Sequence, residues 1–347
     1  MFAIVKNQPE KGLWSEDRNV IQKLGPNDVR VKVSHAGICG TDMHIYNWDD
    51  WAQGRVKVPT VLGHEFVGTI VETGMEVKHL EKGQRVSAEC HVTCGVCKFC
   101  RTGQGHICSD TSIIGVDRDG AFAEEVVVPA GNIWPVHADI PSHHAAVFDP
   151  TGNAMHTVMA TPVAGAHVLI SGAGAIGLFA TAIAKTFGAR TITVLEPQQF
   201  KRDLAMELGA DLALNPLEDG FENEIKTLTD GIGPDVLLEM SGNEKAIDTG
   251  LALMANGGTA AMLGLPASRI NFDMADKLIF KGITMKGIVG RKMYETWYQV
   301  DAFMRKAPEA MDKVITHVLP MDEFDQGFAM MEQGTCGKVV LSFDETK

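Results

Sequence analysis

Four cysteines at short spacing, Cys94-x2-Cys97-x2-Cys100-x7-Cys108, form a donor set that closes a tetrahedral site around Zn²⁺. C-x2-C-x2-C also begins the bacterial ferredoxin run, but that run continues x3-C-P. Here the fourth cysteine follows seven residues and precedes Ser109, which favours structural zinc over an iron–sulfur cluster. A second donor set is scattered: Cys39 in GICGTD, and His64 and Glu65 in GHE. Thiolate, imidazole and carboxylate all ligate zinc, and three protein ligands leave one position open for catalysis. Spacing alone does not assemble this trio. A lone cysteine is also a common small core residue, and His64 equally suits a loop.

Gly172-Ala173-Gly174-Ala175-Ile176-Gly177 is a GxGxxG between a strand-like run, HVLIS, and a helix-like one. Glu196 ends the next strand-like run, close to the ~20-residue spacing of a dinucleotide fingerprint. In that reading Gly172 makes the tight turn and Gly174 lets the backbone approach a pyrophosphate. Gly177 lets helix and strand pack closely, and the helix N-terminus faces the phosphates. Glu196 can accept from a ribose 2′-hydroxyl and would repel a 2′-phosphate, which argues for NAD over NADP. Lys201 and Arg202 pull the other way, either as cations for that phosphate or as a solvated helix face.

Two kinds of scaffold must position these residues. Up to about residue 150 the chain is rich in short β-like runs, VRVKVSHAG (29–37), FVGTIVETG (66–74) and AFAEEVVVPA (121–130), broken by glycine and proline turns. The first alternates apolar and polar residues, as a half-buried strand does. From 151 to 290 strand-like runs alternate with helix-like ones, which means a parallel sheet covered on both faces. In QFKRDLAMELGA, Phe200, Leu204, Met206 and Leu208 suit one helical face, with Gly209 as C-cap. A helix over 295–306 and a strand, GKVVLSF, do not extend the series. They are expected to return to the first domain, giving 1–150 with 291–347, and 151–290.

The chain has 347 residues, and 31 Lys and Arg against 44 Asp and Glu give a net charge of −13. Nucleic acid is therefore not an expected partner, since binding it takes a basic face. Nor is a membrane: Val168–Ala184 is uncharged but falls short of the ~20 residues of a spanning helix, and the start shows no signal peptide. Five of the seven cysteines lie between Cys90 and Cys108. That clustering suits metal-bound thiolates in a reducing compartment, so a cytoplasmic enzyme is expected.

GICGTDMH, VPTVLGHEFVG, CGVCKFCRTGQGHIC and GAGAIG, in this order, resemble the zinc-dependent medium-chain dehydrogenase/reductase family over nearly the full length. HIYNWDDWAQ (44–53), FDPTGNAMHT (148–157) and GIVGRKMYETWY (287–298) look like its branch that oxidises the 3-hydroxyl of L-threonine. Polyol and 2,3-diol dehydrogenases share the metal motifs and form the alternative. The resemblance implies an α/β chain with a GroES-like, mostly β catalytic domain and a Rossmann domain with a doubly wound parallel sheet, the active site lying in the cleft between them. It implies two zincs per subunit, a catalytic one on Cys39, His64 and Glu65 and a structural one on Cys94, Cys97, Cys100 and Cys108. Thr41 and His44 match proton-relay positions, and His91 lies toward the amino-acid end of the substrate. Asp149 matches an acidic position beside the catalytic zinc. A permanent fourth ligand would block substrate, so Asp149 is expected behind the ligands or as a displaceable one. NAD contacts are implied at Gly172, Gly174, Ile176, Gly177, Glu196, Lys201, Leu263, Gly264, Leu265, Ile288 and Val289, and the assembly implied is a homotetramer.

Overall fold

The computed structural model describes residues 1–17, 23–266 and 268–344. They divide into two units, Met1–Asp149 with Ile315–Lys347, and Pro150–Val314. The first begins with β1 (Phe2–Lys6), β2 (Trp14–Asp17) and β3 (Asp28–Gly37), then two short helices, α1 (Gly40–Asn47) and α2 (Asp50–Arg55). Next come β4 (Thr60–Val61), β5 (Glu65–Thr73), β6 (Arg85–Ala88) and β7 (His91–Thr93). A cysteine-bearing turn of helix, α3 (Lys98–Arg101), leads to β8 (Thr111–Ile113), β9 (Glu125–Pro129) and β10 (Ile133–Pro135). β3 pairs antiparallel with both β5 and β9. Being central, it is mostly buried rather than half-buried as its alternation suggests. Its Arg30 is buried with it, 3.1 Å from Glu72 and 3.7 Å from Glu125. After α4 (Ser142–Ala145), α5 (Phe148–Met159) carries the chain into the second unit.

That unit repeats strand and helix: β11 (His167–Ser171), α6 (Ala175–Thr186), β12 (Thr191–Leu195), α7 (Gln199–Glu207), β13 (Leu212–Leu214) and α8 (Phe221–Leu228). Then follow β14 (Val236–Glu239), α9 (Glu244–Leu253), β15 (Thr259–Met262) and β16 (Thr284–Gly287). All six strands are parallel, in the order β13-β12-β11-β14-β15-β16. This is the doubly wound Rossmann order, with its switch point between β11 and β14. Leu169, Leu195, Leu237, Ile247, Leu251 and Ala260 meet in its core. The apolar run that imitates a membrane span is β11, a turn and α6. No helix among the described residues is long and apolar enough to cross a membrane.

Two expectations are corrected here. The boundary at 291 falls instead at 315, because α10 (Glu295–Lys306) and α11 (Pro308–Val314) pack on each other and α11 packs on α6 and α7. Trp297, Val300, Phe303 and Met304 form the buried face of α10. On α7, Leu204 is buried, as is Leu208 at its C-cap, but Phe200 and Met206 are 40% and 46% exposed. Gly209 does follow α7 with φ +102, as a helix stop requires. The chain returns to the first unit through β17 (Ile315–Pro320), α12 (Phe324–Gln333) and β18 (Lys338–Ser342). β18 lies antiparallel to β3 and parallel to β17.

Lys6 is fully buried in the first unit. Its ammonium donates to the carbonyls of Glu10, Gly12 (2.9 Å) and Tyr46 (3.3 Å) and lies over the rings of Trp14 and Trp48. Burial lowers its pKa from 10.5 to about 8, against the opposing pull of Glu10. Between about 8 and 10.5 the unfolded chain therefore binds more protons than the folded one, and stability rises with pH across that window. Lys6→Met lacks this slope. Wild type should gain on Lys6→Met in denaturant midpoint as pH rises from 8 to 10.5; a constant difference would contradict the assignment.

Candidate functional site

α1 is built by the GICGTD motif. Cys39 is its N-cap in extended backbone (φ −102°, ψ 160°), and the Asp42 carboxylate at N3 accepts the Cys39 N–H at 2.9 Å. This is a capping box with cysteine in the place of serine or threonine. It fixes the Cys39 thiol at the start of a helix that also carries Thr41 and His44. The Thr41 hydroxyl lies 3.8 Å from Cys39 Sγ. His44, in the last turn, has a half-exposed side chain in contact with Asp49.

β5 brings in the other donors. Ligand atoms of Cys39, His64 and Glu65 lie within 4.8 Å of one another. His64 and Glu65 are buried; His64 Nδ1 and Glu65 Oε1 make no hydrogen bond, while Glu65 Oε2 meets the Lys338 ammonium. Buried polar atoms without such partners are costly, and a thiol, an imidazole and a carboxylate converging here fit a metal ion. Asp42 Oδ1 stands 3.7 Å from His64 Nδ1, beyond hydrogen-bond reach but close enough for its charge to act on the imidazole. Burial alone would lower the His64 pKa, but Cys39, Asp42 and Asp149 outweigh it and push it up to about 10. A field that anionic favours a divalent cation in the same place.

Lys338 on β18 is the one cation in direct ion-pair contact with this site among the described residues. Its buried ammonium lies 2.5 Å from Glu65 Oε2 and donates to the Ile38 carbonyl at 2.6 Å. Asp149, buried at the start of α5, stands outside the three-donor cluster, while its charge reaches His64. Motif reading missed Asp42 and Lys338. Asp42 had a local signal, three residues after Cys39; Lys338 had none.

Cys94, Cys97, Cys100 and Cys108 also come together. Sulfur–sulfur distances are 3.5 Å (Cys97–Cys100 and Cys94–Cys108) and 3.9 Å (Cys97–Cys108). A tetrahedron with Zn–S near 2.3 Å has edges of about 3.8 Å. Backbone N–H groups of Cys94 and Cys97 point at Cys108 and Cys94 sulfurs, each at 3.4 Å. N–H groups of Cys100 and Ser109 push the Cys97 thiol down to about 6, whereas burial and its neighbouring thiols push Cys100 up to about 11. His91, on β7, bonds Glu89 through Nδ1 at 2.7 Å and lies 3.5 Å from Cys90 Sγ. It is not brought into either cysteine-containing donor set above. Cys90 and Cys336 are buried in the core.

In the second unit, Gly172 has φ +92°, and a Cβ on Gly177 would come within 2.0 Å of Gly172 O. A Cβ on Gly174, the N-cap of α6, would meet nothing within 4 Å, so the backbone is bare toward open space, as a pyrophosphate cradle requires. Ile176 lies in the first turn of α6. Glu196 is buried after β12 and accepts from Ala173 N (2.8 Å) and Gln198 N (3.1 Å), so it also braces the fingerprint turn. A carboxylate keeps further acceptor sites for a ribose. Arg202 is engaged with the Glu196 and Pro197 carbonyls, while Lys201 is half-buried on α7. Leu263, Gly264 and Leu265 follow β15, and Ile288 and Val289 follow β16, all at the C-terminal strand ends where such sheets bind ligands. Two family-like segments meet in this unit: His156 Nδ1 donates to Gly290 O at 3.0 Å, and Arg291 to Asn153 Oδ1 at 3.4 Å.

Family models match in both units: "Alcohol dehydrogenase GroES-like domain" over residues 25–138 and "Zinc-binding dehydrogenase" over 175–306. An L-threonine 3-dehydrogenase of Caldanaerobacter subterraneus is 44% identical over 342 residues, covering 98% of each chain. An E. coli CFT073 alcohol dehydrogenase solved with NADH matches at TM-score 0.88 and 26% identity, covering 99% of each chain. A zinc-binding dehydrogenase of Sinorhizobium meliloti bound to NADP matches at 0.87 and 28%, covering 98% of each.

The four-cysteine site predicts that Cys94→Ser loses one zinc per chain and melts at lower temperature, since closed thiolate sites contribute folding free energy. Metal content by emission spectroscopy and a thermal melt check this. Unchanged zinc with an unchanged melt would contradict it.

Proposed function

We propose that the chain, which belongs to the zinc-dependent medium-chain dehydrogenases and within them to the L-threonine 3-dehydrogenase family, oxidises the 3-hydroxyl of L-threonine to 2-amino-3-oxobutanoate with NAD as acceptor. The observation that carries this reading is the meeting of Cys39, His64 and Glu65 in a chain so similar to those dehydrogenases along nearly its whole length. When bound there, zinc supplies Lewis acidity, which eases loss of an alcohol's proton. NAD, when bound, takes the hydride. A second zinc on Cys94, Cys97, Cys100 and Cys108 staples the loop between β7 and β8.

The protein's own groups do the rest. Cys39, His64 and Glu65 hold the metal, with Lys338 fixing Glu65 and the Asp42 charge facing His64. The Thr41 hydroxyl, beside Cys39, receives the substrate proton and hands it outward. His44, half-exposed, passes it to solvent, a task suited to a group whose ordinary pKa is near 6.5. Asp149 adds negative charge behind the metal, and His91, oriented by Glu89, is assigned to the amino-acid end of the substrate. Gly172, Gly174 and Gly177 cradle the pyrophosphate. Glu196 takes the ribose hydroxyls, and its carboxylate is the support for NAD over NADP. A homotetramer in the cytoplasm completes the reading, supported by the family resemblance and the clustered thiols. The product is a β-keto acid, chemically prone to decarboxylate.

The test is an NAD-reduction screen with L-threonine, sorbitol and 2,3-butanediol, repeated with NADP. L-Threonine with NAD should have the highest kcat/KM. A preference for sorbitol or butanediol would overturn the substrate, and equal use of NADP would overturn the role of Glu196.

A further inference from the structure

We propose that Asp49 is a positioning residue for His44: its carboxylate holds the imidazole in the tautomer that leaves Nε2 open to receive a proton. The proposal rests on the reading of His44 as the outer member of the relay. α1 ends at Asn47, and Trp48 follows in left-handed backbone (φ 54°), its N–H turned back to the His44 and Ile45 carbonyls. That reversal lays Asp49 against the last turn of α1, where its Oδ2 meets His44 Nδ1.

The other carboxylate oxygen is already committed. Asp49 is the N-cap of α2, and its Oδ1 accepts the Ala52 N–H at 3.0 Å. The two oxygens therefore have separate tasks, one capping α2 and the other facing His44. The Trp51 ring, 5.9 Å from the imidazole between centroids, bounds the ring on one side. Partial burial would raise the Asp49 carboxyl, but the Ala52 N–H and His44 outweigh it and hold it below the ordinary range.

An ionised carboxylate only accepts hydrogen bonds. Facing it, Nδ1 must carry the proton, so the neutral ring has its lone pair on Nε2. A proton arriving from the hydroxyl ahead in the path binds at Nε2 and makes an imidazolium, whose charge Asp49 faces. It leaves from Nε2 to water. Asp49 neither gains nor loses a proton in the cycle.

The test is Asp49→Asn in the full-length, zinc-loaded enzyme. Asparagine keeps the α2 cap through Oδ1 and turns its NH₂ toward His44 Nδ1, so the ring must switch to the Nε2–H tautomer. Ring-¹⁵N-histidine NMR, with the His44 signals identified by their loss in His44→Gln, reads the tautomer directly. Wild type should show Nδ1–H and Asp49→Asn should show Nε2–H. Threonine-dependent NAD reduction should fall about 10–100-fold in kcat with KM little changed. That is less than the ~10⁴ of a fully buried triad, because this pair is half-exposed. Asp49→Ser, which also caps a helix, should give mixed tautomers and an intermediate loss. It carries the test if the asparagine variant melts early.

Nε2–H in wild type, or unchanged tautomer and kcat in both variants, would overturn the proposal. His44→Ala separates it from the reading beneath: normal turnover there would sink the relay, while the tautomer, which needs no turnover, still decides what Asp49 does.

Discussion

Burying Asp42, Glu65 and Asp149 around one histidine, with the part-buried Cys39 beside it, concentrates negative charge where water screens it poorly. A buried carboxylate without a partner costs several kcal/mol even after relaxation, so the site needs cations. The chain supplies one, Lys338, from a strand that returns to the first unit after the whole second unit has intervened. A divalent metal on Cys39, His64 and Glu65, as proposed, would supply the rest. Much of the first unit follows from this. β18 must pair with β3 in the register that sets Lys338 beside Glu65. The capping box must turn Asp42 inward, and β5 must begin at Glu65.

The two donor sets solve opposite problems. The four cysteines lie on a loop lobe with few apolar contacts of its own, and their sulfurs already stand at tetrahedral spacing, aimed by backbone N–H groups. Such a site holds structure and keeps no position open. The Cys39 trio sits inside a packed β unit that needs no staple. It has three donors, not four, and the helix that carries one of them also carries a hydroxyl and an imidazole leading outward. The difference between the sites is therefore visible in donor count and surroundings before any chemistry is assigned.

What the sequence made legible was local. The cysteine run, the glycine fingerprint and the strand–helix alternation each depend on residues within about one element of each other, and each stands where those patterns place it. Phe200 and Met206 misled because an apolar residue on a helix need not face the core. The boundary at 291 misled because α10 has the amphipathic pattern of any packed helix, and only its contacts say which unit owns it. Asp42 could be read as an N3 capping residue, though not as the partner of His64. Lys338 was invisible, since its role exists only once β18 lies against β3.

The claim on which the account turns is that Cys39, His64 and Glu65 form a second metal site, distinct from the four-cysteine one. Cobalt titration of the metal-depleted chain, followed by its thiolate-to-metal absorption and by threonine-dependent NAD reduction, tests it in wild type and in Cys39→Ser. Wild type should take two ions per chain. Cys39→Ser should take one, keep the absorption of the four-cysteine site and lose turnover. A Cys39→Ser chain that still takes two ions and oxidises threonine at the wild-type rate would contradict the account.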